Sequence, residues 1–92
     1  MEIQQKDNHK TGLFFIEQES EKVAEMVYSW RGQDSIIIEH TEVDDALRGK
    51  GAGKALVTKS VEFAREKGIK IVPICSFAKN IFDKMKEYHD VL

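Results

Sequence analysis

The chain carries one cysteine and one proline. A single cysteine excludes an internal disulfide and fits a reducing compartment, so a cytoplasmic location is expected. A single proline leaves no candidate linker, and no repeat or low-complexity segment interrupts the 92 residues. One domain over residues 1–92 is therefore expected. No apolar run approaches the roughly 20 residues that span a bilayer, so no membrane partner is expected. Met1 to Lys10 is too short and too polar for a signal peptide and is expected to fray as a flexible tail. Basic residues are scattered and the net charge is −2, which leaves no electrostatic footprint for nucleic acid. No metal site is assigned. The apolar content of 41% suits one small core.

What the chain does have is a glycine-rich turn, Arg48-Gly49-Lys50-Gly51-Ala52-Gly53. Before it runs Ser35 to Val43, rich in β-branched residues and closed by Asp44 and Asp45. After it runs Ala52 to Lys67, free of proline, up to Gly68. The turn thus joins a predicted strand to a predicted helix. Glycine lets backbone bend tightly and approach a ligand. The first helical amides have no partner inside the helix, and the positive end of its dipole points the same way. A phosphate suits that place, and Arg48 and Lys50 add positive charge. Two familiar phosphate loops fail here. In the P-loop pattern Gly-Lys must precede Ser or Thr, whereas Gly53-Lys54 precedes Ala55 and position 48 is arginine. The dinucleotide fingerprint G-x-G-x-x-G is one residue longer than the spacing of Gly49, Gly51 and Gly53.

Ahead of this unit, Leu13-Phe14-Phe15-Ile16 reads as a first strand buried on both faces, and Glu17 to Lys22 as a hairpin connection. Val23 to Trp30 alternates, with Ala24, Met26, Tyr28 and Trp30 on one face. Arg31 to Asp34 turns the chain into the third strand, which completes an antiparallel meander. Parity puts Ile36, Ile38 and His40 on one face of that strand. Beyond the helix, Ile69 to Ile74 is a buried strand, parallel to the third through a right-handed crossover. At Pro73 the sheet must lose a rung of the ladder or present an edge. A last helix is expected from about Phe77 to Tyr88. His9 and His89 read as surface residues. The fold class is α/β (α+β): a three-strand antiparallel meander, a parallel βαβ unit and a C-terminal helix.

The pattern Arg-x-x-Gly-x-Gly at Arg48, Gly51 and Gly53, between strand and helix, resembles the pyrophosphate motif of the GCN5-related N-acetyltransferases. The resemblance extends from about Leu13 to Leu92 and is similar to a very small subgroup of that family. That subgroup has a histidine before the glycine loop, a Cys-Pro-Phe-Ala-type segment and a terminal Tyr-x-Asp-Val-Leu. Here they are His40, Cys75-Ser76-Phe77-Ala78 and Tyr88-His89-Asp90-Val91-Leu92. The resemblance implies acetyl-coenzyme A or coenzyme A as ligand, held by Val43, Arg48, Gly49, Lys50, Gly51, Ala52, Gly53, Lys54, Phe77 and Ala78. It further implies two parallel strands that splay to admit the pantetheine arm. Phe82 stands where the family commonly has a tyrosine whose hydroxyl protonates the departing thiolate.

His40 and Cys75 close the two splayed strands and could both face the thioester. His40 would be the base for the acceptor amine. Cys75 could carry the acetyl group, protonate the leaving thiolate, or be a small buried hydrophobe. The activity implied is N-acetyltransfer to a protein lysine or a small amine. The alternatives are a non-catalytic coenzyme-binding module and a self-acetylating thiol protein. A monomer or weak dimer is expected.

Overall fold

The computed structural model describes residues 2–92. Four strands pair antiparallel in chain order: β1 (Gln4–Asp7), β2 (Thr11–Gln18), β3 (Glu21–Arg31) and β4 (Ser35–Val43). β5 (Lys70–Pro73) lies parallel to β4, reached through helix α1 (Ala52–Lys67). Helix α2 (Ser76–Lys84) follows, and 3-10 turns span Asp45–Leu47 and Lys86–Val91. Alternation along β2 and β3 sends Phe14, Ile16, Ala24, Met26 and Tyr28 to one face. Leu56, Val57, Val61 and Ala64 of α1, with Ala78 and Phe82 of α2, close the core against that face. Leu13, Val27, Ile37 and Val72, all half-buried, lie on the opposite face. Phe15 lies there too, nearly buried beneath the ammonium groups of Lys6 and Lys22. Among the described residues no helix covers this second face, and none is long and apolar enough to cross a membrane.

α1 begins and ends as its sequence predicts, with Gly68 in the left-handed region at its C-cap. The hairpin before β3 is tighter than expected: its strands run on to Gln18 and from Glu21, leaving Glu19 and Ser20, both at positive φ.

The expected frayed tail instead contains β1, which makes the antiparallel part four strands rather than three. Its polarity concealed it. Gln5 and Asp7 point to the core face, where Tyr28 Oη donates to Asp7 Oδ2, Trp30 Nε1 donates to the same oxygen at 2.9 Å, and Gln5 Nε2 donates to Tyr28 Oη at 2.9 Å. The β1–β2 turn is made by Asn8, whose side chain accepts from the Lys10 and Thr11 amides. Burial raises the Asp7 carboxyl, but bonds from Tyr28, the His9 amide and Trp30 outweigh it and hold the group below its ordinary 3.8. A depressed folded-state value means the stabilisation is fully present above 3.8 and drains as pH falls from there. Asp7→Ala leaves Tyr28 and Trp30 without this acceptor and should cost about 1–3 kcal/mol at pH 7. In urea titrations the gap between wild type and variant should close on acidification. A gap that does not depend on pH would rule the carboxylate out.

The last helix stops at Lys84, short of its expected end, and Met85 leads into the second 3-10 turn. That turn explains the terminal Tyr-x-Asp-Val-Leu pattern. Tyr88 Oη bonds Thr58 Oγ1 at 2.8 Å, Asp90 accepts two bonds from the Arg65 guanidinium, and Val91 is buried. His89 is exposed, and its Nε2 donates to the Phe82 carbonyl at 2.6 Å.

Candidate functional site

β4 delivers the chain into the glycine turn through Asp44, whose carboxylate accepts the Asp45 amide and caps the short 3-10 turn. Leu47, nearly buried, anchors that turn to the core. Gly49 and Gly51 then take φ of 77° and 80°, the left-handed region that costs a residue with a Cβ about 1–2 kcal/mol. Both face open space where a Cβ would stand. Gly51 is the N-cap of α1 and brings no side chain to cap it. The Ala55 amide is the first to bond back, to Gly51 O at 2.9 Å. The Ala52, Gly53 and Lys54 amides precede it, and a helix offers its first amides no internal acceptor. Their residues line a cleft of 1020 Å³.

Of the residues expected to hold the coenzyme, Val43, Arg48, Gly49, Gly51, Ala52, Gly53, Lys54 and Phe77 line this cleft. Two other candidates do not. Lys50 lies outside the lining. Ala78 is buried in the core, with its amide donated to Cys75 Sγ. Arg48 is exposed and paired with Asp45 at 3.0 Å, so its charge at the mouth is partly answered already. Phe77, from the first turn of α2, holds its ring over Gly53, where a Cβ would collide with it. Position 53 is therefore glycine for close approach rather than for a left-handed backbone.

The parallel ladder ends at Ile38 opposite Pro73. Ile38 O accepts from both the Ile74 and Cys75 amides, at 3.1 and 3.2 Å, and after that the strands part. Residues 39–43 of β4 have no partner on their β5 side among the described residues. This parting is the splaying that the family resemblance implied.

Here β4 also departs from simple alternation. Val27 pairs with His40 and Tyr28 with Ile38, so Glu39 is an extra, bulged residue. The bulge reverses parity. Thr41 and Val43, opposite Met26 and Ala24, face the helices, and His40 and Glu42 face the uncovered side. His40 therefore does not continue the Ile36–Ile38 stripe. It is exposed, with Nε2 2.8 Å from Glu42 Oε1.

Cys75 is the N-cap of α2: Sγ accepts the Ala78 amide at 3.4 Å and lies 3.4 Å from Thr41 Oγ1. The expected His40–Cys75 pair is thus replaced by two separate contacts, His40–Glu42 and Thr41–Cys75. Phe82 is 1% exposed and belongs to the core rather than to the cleft.

The cleft wraps round the free edge of β4, since Thr41 and Val43 line it from one face and Glu25 and Glu42 from the other. Most of its charges are answered locally: Glu25 pairs with Lys22 and Asp45 with Arg48. Among the described residues Lys54 has no ion-pair partner. Thr41, Glu25 and Glu42 escaped the sequence reading, because only the register of β3 on the bulged β4 brings them together. The bulge itself has no mark in the β-branched run.

A family model described as GCN5-related N-acetyl-transferase matches residues 13–91. A GCN5-like protein from Staphylococcus aureus, solved by NMR, is 42% identical with a TM-score of 0.77, covering 98% of this chain and 85% of its own. The Xenopus tropicalis protein NATD1 is 35% identical over 52 residues, 56% of this chain and 48% of its own length. The chain thus spans about half the length of the curated relatives it matches. A GNAT family acetyltransferase from Elizabethkingia anophelis, solved with acetyl-CoA bound, shares the fold at TM-score 0.65 and 16% identity, over 84% of this chain and 53% of its own.

Proposed function

Since the chain belongs to the GCN5-related N-acetyltransferase family, we propose that it binds acetyl-coenzyme A in this cleft and transfers the acetyl group to an amine. The observation that carries the reading is the continuity of three features: the uncapped amides of α1, the left-handed glycines before them, and the unpaired edge of β4. The amides of residues 52–54 and the Lys54 ammonium suit a pyrophosphate. The free edge of β4 offers backbone groups to an amide-bearing arm, and the Phe77 ring closes the loop end of the cleft. Bound there, the coenzyme supplies an activated acetyl thioester.

His40 is suited to take a proton from the acceptor amine, from the face that carries no helix. Its Nε2–H given to Glu42 would leave the lone pair of a neutral ring on Nδ1. The acceptor belongs on that open face, which can admit an amine borne on a polypeptide as readily as a small one. A second reading, a coenzyme-binding module without transfer, is favoured by one observation: His40 and Cys75 are engaged with different partners.

Calorimetric titration with acetyl-coenzyme A and coenzyme A tests the binding, on wild type and Gly51→Trp. An indole at Gly51 would stand in open space at the loop and should weaken binding at least about tenfold, a loss of 1.4 kcal/mol. A wild type that binds neither ligand would end the proposal. Binding without acetylation of any amine in a panel of lysine peptides and small amines would select the second reading.

A further inference from the structure

Acetyl transfer would leave a thiolate on the coenzyme, and neither Tyr28 nor Tyr88 lines the cleft: what protonates it? Cys75 is poorly placed to do so directly. Its sulfur stands at the α2 N-cap, engaged by the Ala78 amide and by Thr41 Oγ1, and it is not among the residues that line the cleft. Thr41 is. The bulge at Glu39 turns Thr41 to the helix side, onto the unpaired edge of β4, where it lines the cleft and its hydroxyl lies 3.4 Å from the thiol. Phe82 is core, and His40 and Glu42 face the other side of the sheet.

We propose that Thr41 relays a proton from the Cys75 thiol to the coenzyme thiolate as acetyl transfer completes. The inference rests on the transferase reading above. As the carbon–sulfur bond breaks and its electron pair stays on the coenzyme sulfur, Thr41 Oγ1 gives that sulfur its proton. Cys75 Sγ–H refills the oxygen and keeps the electron pair as a thiolate, facing the Ala78 amide at the N-cap. Water then returns a proton to Cys75. The proton released by the acceptor amine leaves separately through His40, so charge and protons balance over the turnover. Threonine suits the task because a hydroxyl donates and accepts at once. Valine has nearly its shape and neither capacity.

The test uses Thr41→Val, Thr41→Ser, Cys75→Ala and the double variant Thr41→Val/Cys75→Ala. Thr41→Val should lower kcat by about 10²-fold, the low end for a lost acid, while the calorimetric Kd for acetyl-coenzyme A stays within threefold. Thr41→Ser should recover most of the rate. Cys75→Ala should match Thr41→Val, and the double variant should be no slower than either, because both remove one proton path. A readout without coenzyme is alkylation of Cys75 by iodoacetamide, which Thr41→Val should slow several-fold by removing the hydroxyl beside the sulfur.

Wild-type turnover in Thr41→Val, effects of the two substitutions that multiply in the double variant, or unchanged alkylation would each overturn the relay with the transferase reading intact. A wild type that binds coenzyme and acetylates no amine would overturn both.

Discussion

His40→Ala is expected to reduce kcat by about 10³-fold, within the range for loss of a general base, with the Kd for acetyl-coenzyme A almost unchanged. The two effects separate because of where the bulge leaves the ring. His40 lies on the uncovered face, and it is Thr41 and Val43 that line the cleft on the helix side. Its side chain is 55% exposed and bonds only Glu42 among the described residues, so its loss creates no cavity and the melting temperature should hold. Steady-state kinetics with a saturating amine, alongside calorimetry, makes the comparison. Turnover within threefold of wild type would remove His40 from the mechanism. Loss of coenzyme binding instead would mean that the ring reaches the cleft side after all.

Phe82→Ala is expected to cost about 3–5 kcal/mol, the usual range for a buried aromatic truncated in a packed core. The ring is 1% exposed and meets Tyr88 edge-on at 6.4 Å. Its removal undermines both α2, which carries Cys75 and Phe77, and the 3-10 turn that Tyr88 ties to α1. A chain of 92 residues has a total stability of roughly 5–14 kcal/mol, so the loss is a large share of the total and should lower the melting temperature markedly. Urea denaturation followed by circular dichroism measures it. A cost below about 1 kcal/mol would show that the position can collapse around the loss.

Different physical signals account for what the residues revealed in advance. α1 was legible from end to end because its limits are written in backbone chemistry: Gly51 as an uncapped start and Gly68 as a left-handed stop. The splaying of β4 from β5 came with the family resemblance; Pro73, which cannot donate to the ladder, agreed with it. β1 was not, because its inward-facing residues are Gln5 and Asp7, held by Tyr28 and Trp30 across the sheet rather than by apolar burial. Nor was the parity of His40. Ile36 to Ile38 followed by Glu, His, Thr, Glu and Val fits either phase of a strand, and one unpaired residue at Glu39 decides between them. The same slip exchanged the expected His40–Cys75 pairing for Thr41–Cys75. Local chemistry was readable; long-range register was not.

The bare face of the sheet has a kinetic consequence. Under the proposed function the coenzyme would be held from the helix side and the amine received from the other, so each ligand would have its own door and neither would block the other's way in or out. Such a site would impose no compulsory order of addition. It would also let the acetylated product depart while coenzyme A is still seated, so the slow step of turnover would fall on the exchange of coenzyme alone.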